Sequence, residues 1–282
     1  MDQQRSVHSR FVLWALGGLM LVFSLGGCEA SVAQVTVQPA SPMPEGQQAL
    51  PSLTPLALAP GEKVRVIATT NIVADVVSQV GGDAIILTSL IPVGADVHTY
   101  QATPQDLRQV SDAHVVFLNG LGLEGGLEEV LENVNSKVVI VPVSADIEPL
   151  ALVEIPIAED DEEQHQEMGN HHEGDDPHVW FDPQKVMVWV HHIEQTLSAL
   201  DPAHAGDYRT NAEAYLAELQ ALDAWIKEEV AQIPPEHRKL VSDHNLFGYF
   251  AARYGFEPVG ALVESFSTLA EPSAQELAAL QD

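Results

Sequence analysis

The chain has 282 residues and a formal net charge of −29, from 41 acidic against 12 basic side chains, with 12 histidines besides. So acidic a molecule offers no basic surface to neutralise phosphates, which excludes nucleic acid as a partner and favours cations, although much of the charge needs no role beyond solubility. Cys28 is the one cysteine, so neither an intramolecular disulfide nor a cysteine-based zinc site is possible, and a metal would have to be held by His, Asp or Glu.

Residues 1–28, "MDQQRSVHSRFVLWALGGLMLVFSLGGC", combine a basic start at Arg5 and Arg10 with an apolar run from Phe11 to Leu25. The run is shorter than the roughly 20 apolar residues that span a bilayer, and the pattern is that of a secretion signal. "LGGC" is similar to a bacterial lipobox, which makes Cys28 the expected lipidated N-terminus and attaches the chain to the outer face of the cell membrane. Residues 29–62 are rich in Pro, Ala, Ser and Gln without a period, and are expected to be a flexible tether.

From Lys63 the pattern alternates. "KVRVIATT" is strand-like, "NIVADVVSQVGG" has apolar residues at helical spacing closed by glycines, and "AIILTSLI" is again strand-like. "TPQDLRQVSDA" (helix), "HVVFLNG" (strand), "GLEEVLENV" (helix) and "KVVIVPVS" (strand) continue it, so the spacing predicts an α/β fold with a parallel sheet covered on both faces. A His- and acid-rich loop, 159–176, follows. The helix "QKVMVWVHHIEQTLSAL" completes a first lobe over 63–200. Residues 201–233 form a nearly unbroken linking helix, roughly 40 Å long at about 1.5 Å per residue. Beyond it, 236–282 reads as strand, helix, strand, helix, a second α/β lobe that has only begun where the sequence stops. Two strands bury their helices poorly, so a C-terminally truncated lobe, or one completed by a partner, is expected.

Ligands of open α/β sheets bind beyond the carboxyl ends of the strands. Three histidines occupy loops of that kind: His98 in "IPVGADVHTY", His178 in "GDDPHVWFDP" and His244 in "SDHNLFGYF". Two belong to the first lobe and one to the second, so a cleft between the lobes would bring them together. Three imidazoles with an oxygen make a tetrahedral zinc site. On the residues alone, solvated loop histidines remain an equal reading.

"PVGADVHTYQATPQDL", "NGLGLEGGL", "DPHVWFDP", "DYRTNAEAYLAEL", "SDHNLFGYFAARYG" and "AEPSAQEL" resemble, in order and spacing, the cluster 9 solute-binding proteins of bacterial zinc and manganese ABC transporters. The resemblance covers 63–282 and implies two α/β lobes joined by one long rigid helix, with the metal in the cleft between them. It also implies that His98, His178 and His244 hold the metal. A fourth ligand, commonly a late aspartate of the second lobe, is part of that family's pattern; no residue here matches it, and Asp282 comes too early. A histidine at 244 implies the zinc type, since manganese-type members often place a glutamate there, and imidazole suits Zn2+ over Mn2+. The resemblance further implies an ABC permease as partner and no enzymatic activity, and the chain is expected to be a monomer. No HExxH motif supports a three-histidine zinc hydrolase; manganese binding and a metal-dependent adhesin are the other readings.

His165, His171 and His172, among the carboxylates of the insert, are expected to form a weak collector of divalent cations. His191 and His192 lie within a predicted helix and are expected to pack or face solvent, and His114, His204 and His237 sit near element starts. Trp180 and Phe181 are expected to wall the site. Asp96, Asp176, Asp182 and Asp243 are candidate acceptors of an imidazole N–H.

Overall fold

The computed structural model describes residues 51, 53–132, 134, 137–152 and 174–261. The expected leader with Cys28, His165, His171 and His172 of the insert, and the chain after Ala261 lie outside the described residues.

Strands β1 (Val64–Ala68), β2 (Ile85–Ser89), β3 (Val115–Leu118) and β4 (Val139–Pro142) form a parallel sheet in the order β2-β1-β3-β4. Because parallel strands are covered on both faces, they read as apolar runs: all four residues of β3, Val-Val-Phe-Leu, are buried. Alternate side chains enter different cores. Val66, Ala68 and Phe117 join one cluster, and Ile67, Val116 and Leu118 join the other.

Helix α1 (Asn71–Gly81) covers the first face together with α4 (Pro183–Leu200) and α5 (Ala205–Ala231). Helices α2 (Pro104–Asp112) and α3 (Gly125–Glu132) supply Val110, Leu127 and Leu131 to the second. The helix starts follow from local chemistry. Thr70 Oγ1 accepts the Val73 N–H, Thr103 and Asp106 make a reciprocal capping box ahead of Pro104, and Asp182 caps α4 through the Gln184 N–H with Pro183 in the first turn.

The expected linking helix is α5, and it is not free-standing. Tyr208, Ala212 and Leu219 bury into the first core against α4 and α1. Past it, β5 (Lys239–Ser242), α6 (Gly248–Tyr254) and β6 (Glu257–Ala261) begin the second lobe, with β5 and β6 parallel. Arg253 of α6 ties this lobe to the first. Its guanidinium donates twice to Asp223 of α5, at 2.8 Å each, and Nε lies 3.0 Å from Asp182 Oδ1 at the start of α4.

The expected tether needs one correction. Residues 53–62 lie on the folded body, with Leu53, Leu56 and Leu58 packed against the first core and the Leu56 N–H donating to Leu200 O at 2.8 Å. Three leucines in an extended, proline-flanked stretch bury enough apolar surface to hold it there. Among the described residues, no helix is long and apolar enough to cross a membrane.

Candidate metal centre

The three post-strand histidines converge. His98 lies in the loop after β2, His178 between β4 and α4, and His244 between β5 and α6. One ring nitrogen from each falls within 4.8 Å of the others, and no other group of three potential metal ligands occurs among the described residues. The ring centroids are 5.2 Å apart for His98 and His178, 5.3 Å for His178 and His244, and 5.8 Å for His98 and His244.

A common local device presents them. Each histidine closely follows an aspartate that accepts its backbone N–H: Asp96 Oδ1 at 3.0 Å from His98, Asp176 Oδ1 at 2.9 Å from His178, and Asp243 Oδ1 at 2.9 Å from His244. Such short side-chain-to-backbone bonds hold a turn without needing a helix or a sheet ladder.

The ring of His178 is oriented as well. Its Nδ1–H donates to Asp176 Oδ1 at 2.7 Å, with both residues 2% exposed, so the ring lone pair falls on Nε2. His178 Nε2 faces His98 Nε2 at 3.3 Å. Bonds of about 2.0–2.1 Å at a tetrahedral angle place two nitrogens roughly 3.3–3.4 Å apart, so this pair already has the separation that one zinc ion requires.

His244 is the most telling of the three. It is 6% exposed, and neither ring nitrogen has a well-aligned hydrogen-bond partner among the described residues. Asp243 Oδ1 comes within 3.3 Å of Nδ1 but outside hydrogen-bonding geometry, so proximity alone does not satisfy the ring. A buried imidazole with both nitrogens unmet costs free energy, which a cation bound there would recover.

Burial favours the neutral form of two of the rings. Burial, reinforced by neighbouring His178, pushes His98 down to about 4, and burial followed by His178 also lowers His244. Neutral imidazole is the form that ligates.

Of the four candidate acceptors, only Asp176 takes a hydrogen bond from an imidazole N–H. Asp243 is near its ring but misaligned. Asp96 serves the backbone of His98, and its Oδ2 is buried without a hydrogen-bond partner among the described residues. Asp182 is corrected: it caps α4 and pairs with Arg253, because its place just before Pro183 commits it to the helix start. Trp180 does wall the site, edge-on to His178 at 5.3 Å, and Phe181 extends the wall to Phe247 at 4.6 Å.

The remaining histidines stand apart. His191 is exposed, while His192 is buried and donates Nδ1–H to Val143 O at 2.9 Å. His114 lies against Arg65, and His204 pairs with Asp201.

Sequence reading missed the polar support beneath the site. Glu124, fully buried, accepts from Thr69 Oγ1 at 2.6 Å and from the Asn119 and Gly120 N–H groups at 2.7 and 3.2 Å, binding the ends of β1 and β3 together. Asn119 donates onward to Pro177 O at 3.1 Å, beside His178. A glutamate five residues after a strand-ending asparagine carries no signal by itself; its role comes from the neighbouring strand.

Two α/β lobes direct three imidazoles at one point, those of His178 and His244 buried and that of His98 half-buried, the arrangement of a candidate cation site. Residues 66–282 match the family described as ZnuA, "Zinc-uptake complex component A periplasmic", and the chain belongs to that family. The family description names a zinc-uptake component, and the curated relatives are named for the metals they bind. The chain is similar to the manganese-binding lipoprotein MntA of Halalkalibacterium halodurans, 38% identical over 200 residues, which cover 71% of this chain and 61% of the relative. It is 33% identical over 198 residues to the iron-binding protein YfeA of Yersinia pestis, covering 70% of this chain and 59% of the relative. The chain thus spans about three fifths of the length of these curated relatives. Among solved structures it is similar to the periplasmic zinc-binding protein TroA of Treponema pallidum, with a TM-score of 0.64 at 31% identity, covering 78% of this chain and 73% of that one.

Proposed function

We propose that this protein binds Zn2+ outside the cytoplasmic membrane and delivers it to the permease of an ABC importer, with His98, His178 and His244 as the protein ligands. The observation that carries the reading is the all-nitrogen donor set, three imidazoles within 4.8 Å with no carboxylate joining them among the described residues. Manganese prefers carboxylate and carbonyl oxygen and stands at the weak end of the Irving–Williams order, so such a set favours zinc wherever both ions are present. The family description and the zinc-binding TroA support the same cargo.

Manganese is the second reading, favoured by the name of the 38% identical relative MntA. That relative is also named a lipoprotein, which supports lipidation at Cys28 and an anchored, extracytoplasmic location. The proposed organisation is a leader over 1–28, a tether from 29 to about 52, a first lobe to residue 200, a linking helix over 201–233 and a second lobe from 236. The protein acts as a monomer, and His165, His171 and His172 collect divalent cations weakly.

Competition titration of the metal-free protein with Zn2+ and Mn2+ against a chelator tests this. Zinc should bind much more tightly than manganese, and H98A, H178A and H244A should each cost more than the 10–100-fold lost with an outer partner of a ligand. H191A should cost nothing. Tighter manganese binding would overturn the cargo, and wild-type affinity in H178A would overturn the site.

A further inference from the structure

The second lobe touches the His178–Asp176 pair through the first two residues of α6. At Gly248, a Cβ would stand within van der Waals overlap of the Asp176 carboxylate, with Oδ2 as the nearest atom and Cγ at 3.6 Å. Asp176 cannot give way freely, since it is 2% exposed and its Oδ1 holds both the backbone N–H and the ring Nδ1–H of His178. Nothing in the backbone asks for glycine here. Gly248 opens an α-helix with no left-handed φ, where alanine would be the better helix former by about 1 kcal/mol. The close approach of a carboxylate is the reason that remains.

Tyr249, the next residue, is 2% exposed and joins the main chain of the same aspartate to that of Leu150. Its hydroxyl donates to Asp176 O at 2.9 Å and accepts the Leu150 N–H at 3.1 Å. Asp176 N–H in turn donates to Leu150 O at 2.7 Å, next to the antiparallel bridge between Ala151 and Asp175. The aspartate that orients His178 is therefore seated by the helix that follows His244. Moving the second lobe would move the carboxylate, and with it the first-lobe imidazole.

We propose that Gly248 and Tyr249 are positioning residues for the metal cargo: they lock Asp176 against the second lobe and so aim His178 at the point where His98 and His244 converge. The inference rests on the three-histidine reading of the site. Gly248 acts by leaving space, Tyr249 by fixing the main chain, and neither touches the cargo.

A double-mutant cycle read by Zn2+ competition titration and urea unfolding tests it on the full chain, with H178A as the control for the site. G248A should weaken zinc binding about 10–100-fold, the cost of disturbing an outer partner of a ligand, and lower the metal-free urea midpoint, because the added methyl meets a buried carboxylate that cannot give way. D176A should weaken binding similarly. The decisive comparison is G248A/D176A, which should match D176A to within about twofold, because an alanine at 176 no longer reaches the added methyl. Effects that multiply in the double variant, or wild-type affinity in G248A, would overturn the inference. If G248A alone fails to fold, recovery of a folded double variant with D176A affinity supports it, and failure of both overturns it. Y249F keeps the ring, loses both hydroxyl bonds and should weaken zinc severalfold; unchanged affinity overturns the part assigned to Tyr249. Weak binding in H178A with wild-type binding in G248A would refute this inference alone, whereas tight binding in H178A would refute the site.

Discussion

Replacing Arg253 by Met should separate the two lobes energetically. The guanidinium lies between two carboxylates, Asp223 of α5 and Asp182 of the α4 start, with the Arg253 side chain 15% exposed and each carboxylate 9% exposed. Truncating one partner of a covered ion pair costs about 3–5 kcal/mol, because the remaining charges stay behind without compensation. Lys227 Nζ at 2.8 Å and the Tyr254 hydroxyl at 2.9 Å still serve Asp223 in the variant, which puts the loss near the bottom of that range, about 3 kcal/mol. For a body of this size that is roughly 6–12 °C in melting temperature. The pH dependence has a definite sign. Hydrogen bonds from Arg253, against the opposing effect of burial, hold the Asp223 carboxyl well below its ordinary 3.8. A depressed carboxylate contributes stability that is fully present above 3.8 and is lost as the pH falls through the lower, folded value. The Asp223 part of the gap between wild type and R253M should therefore be full at pH 7 and shrink only below pH 3.8, whereas the part due to Asp182 fades earlier, as the pH falls through its raised value. Burial raises Asp182, and removing the nearby cation raises it further, adding to the cost of R253M near neutrality. Urea unfolding at pH 7 and pH 3 measures both effects; a variant within about 0.5 kcal/mol of wild type at pH 7 would show that the clamp carries no stability.

D176N keeps an acceptor near His178 but removes its charge, so zinc affinity should fall about 10–100-fold in chelator competition with the fold retained. H192A deletes the buried bond to Val143 O and should cost about 1–3 kcal/mol in urea unfolding while leaving the zinc affinity unchanged. Because burial pushes His98 from 6.5 down to about 4, the metal-free protein should lose stability as the pH drops from 6.5, where the unfolded imidazole takes up a proton that the folded one refuses; the loss should level off below about 4, and H98Q should flatten this limb. Deleting 159–173 should preserve one tight zinc site and abolish weak ones in calorimetric stoichiometry, since the Leu152 N–H and Gly174 O lie 3.3 Å apart and the flanking chain can be rejoined in place.

The α/β alternation was legible because local rules act within a few residues: apolar runs in β1 and β3, and helical spacing closed by glycines in α1. The positions of His98, His178 and His244 after strands were legible for the same reason, since parallel strands send their carboxyl ends to one side. Their convergence was expected from a cleft between the lobes and from the family resemblance, but no local rule fixes it. Residues 80 and 66 positions apart come within 4.8 Å only through the placement of the lobes, which depends on long-range contacts such as Arg253 with Asp223 and Tyr249 with Asp176. Tertiary structure also sorted residues that look alike in sequence. Asp176 and Asp182 flank the same short motif, yet one orients an imidazole and the other caps a helix, because Pro183 starts α4 beside Asp182 while α6 presses Asp176 onto His178. His191 and His192 are neighbours, but the helical rotation of about 100° per residue sends one to water and the other beneath Val143. Hydrogen bonds and burial are decided by what lies across the fold, and no window of sequence around Glu124, Gly248 or Tyr249 contains the partner that gives each its role.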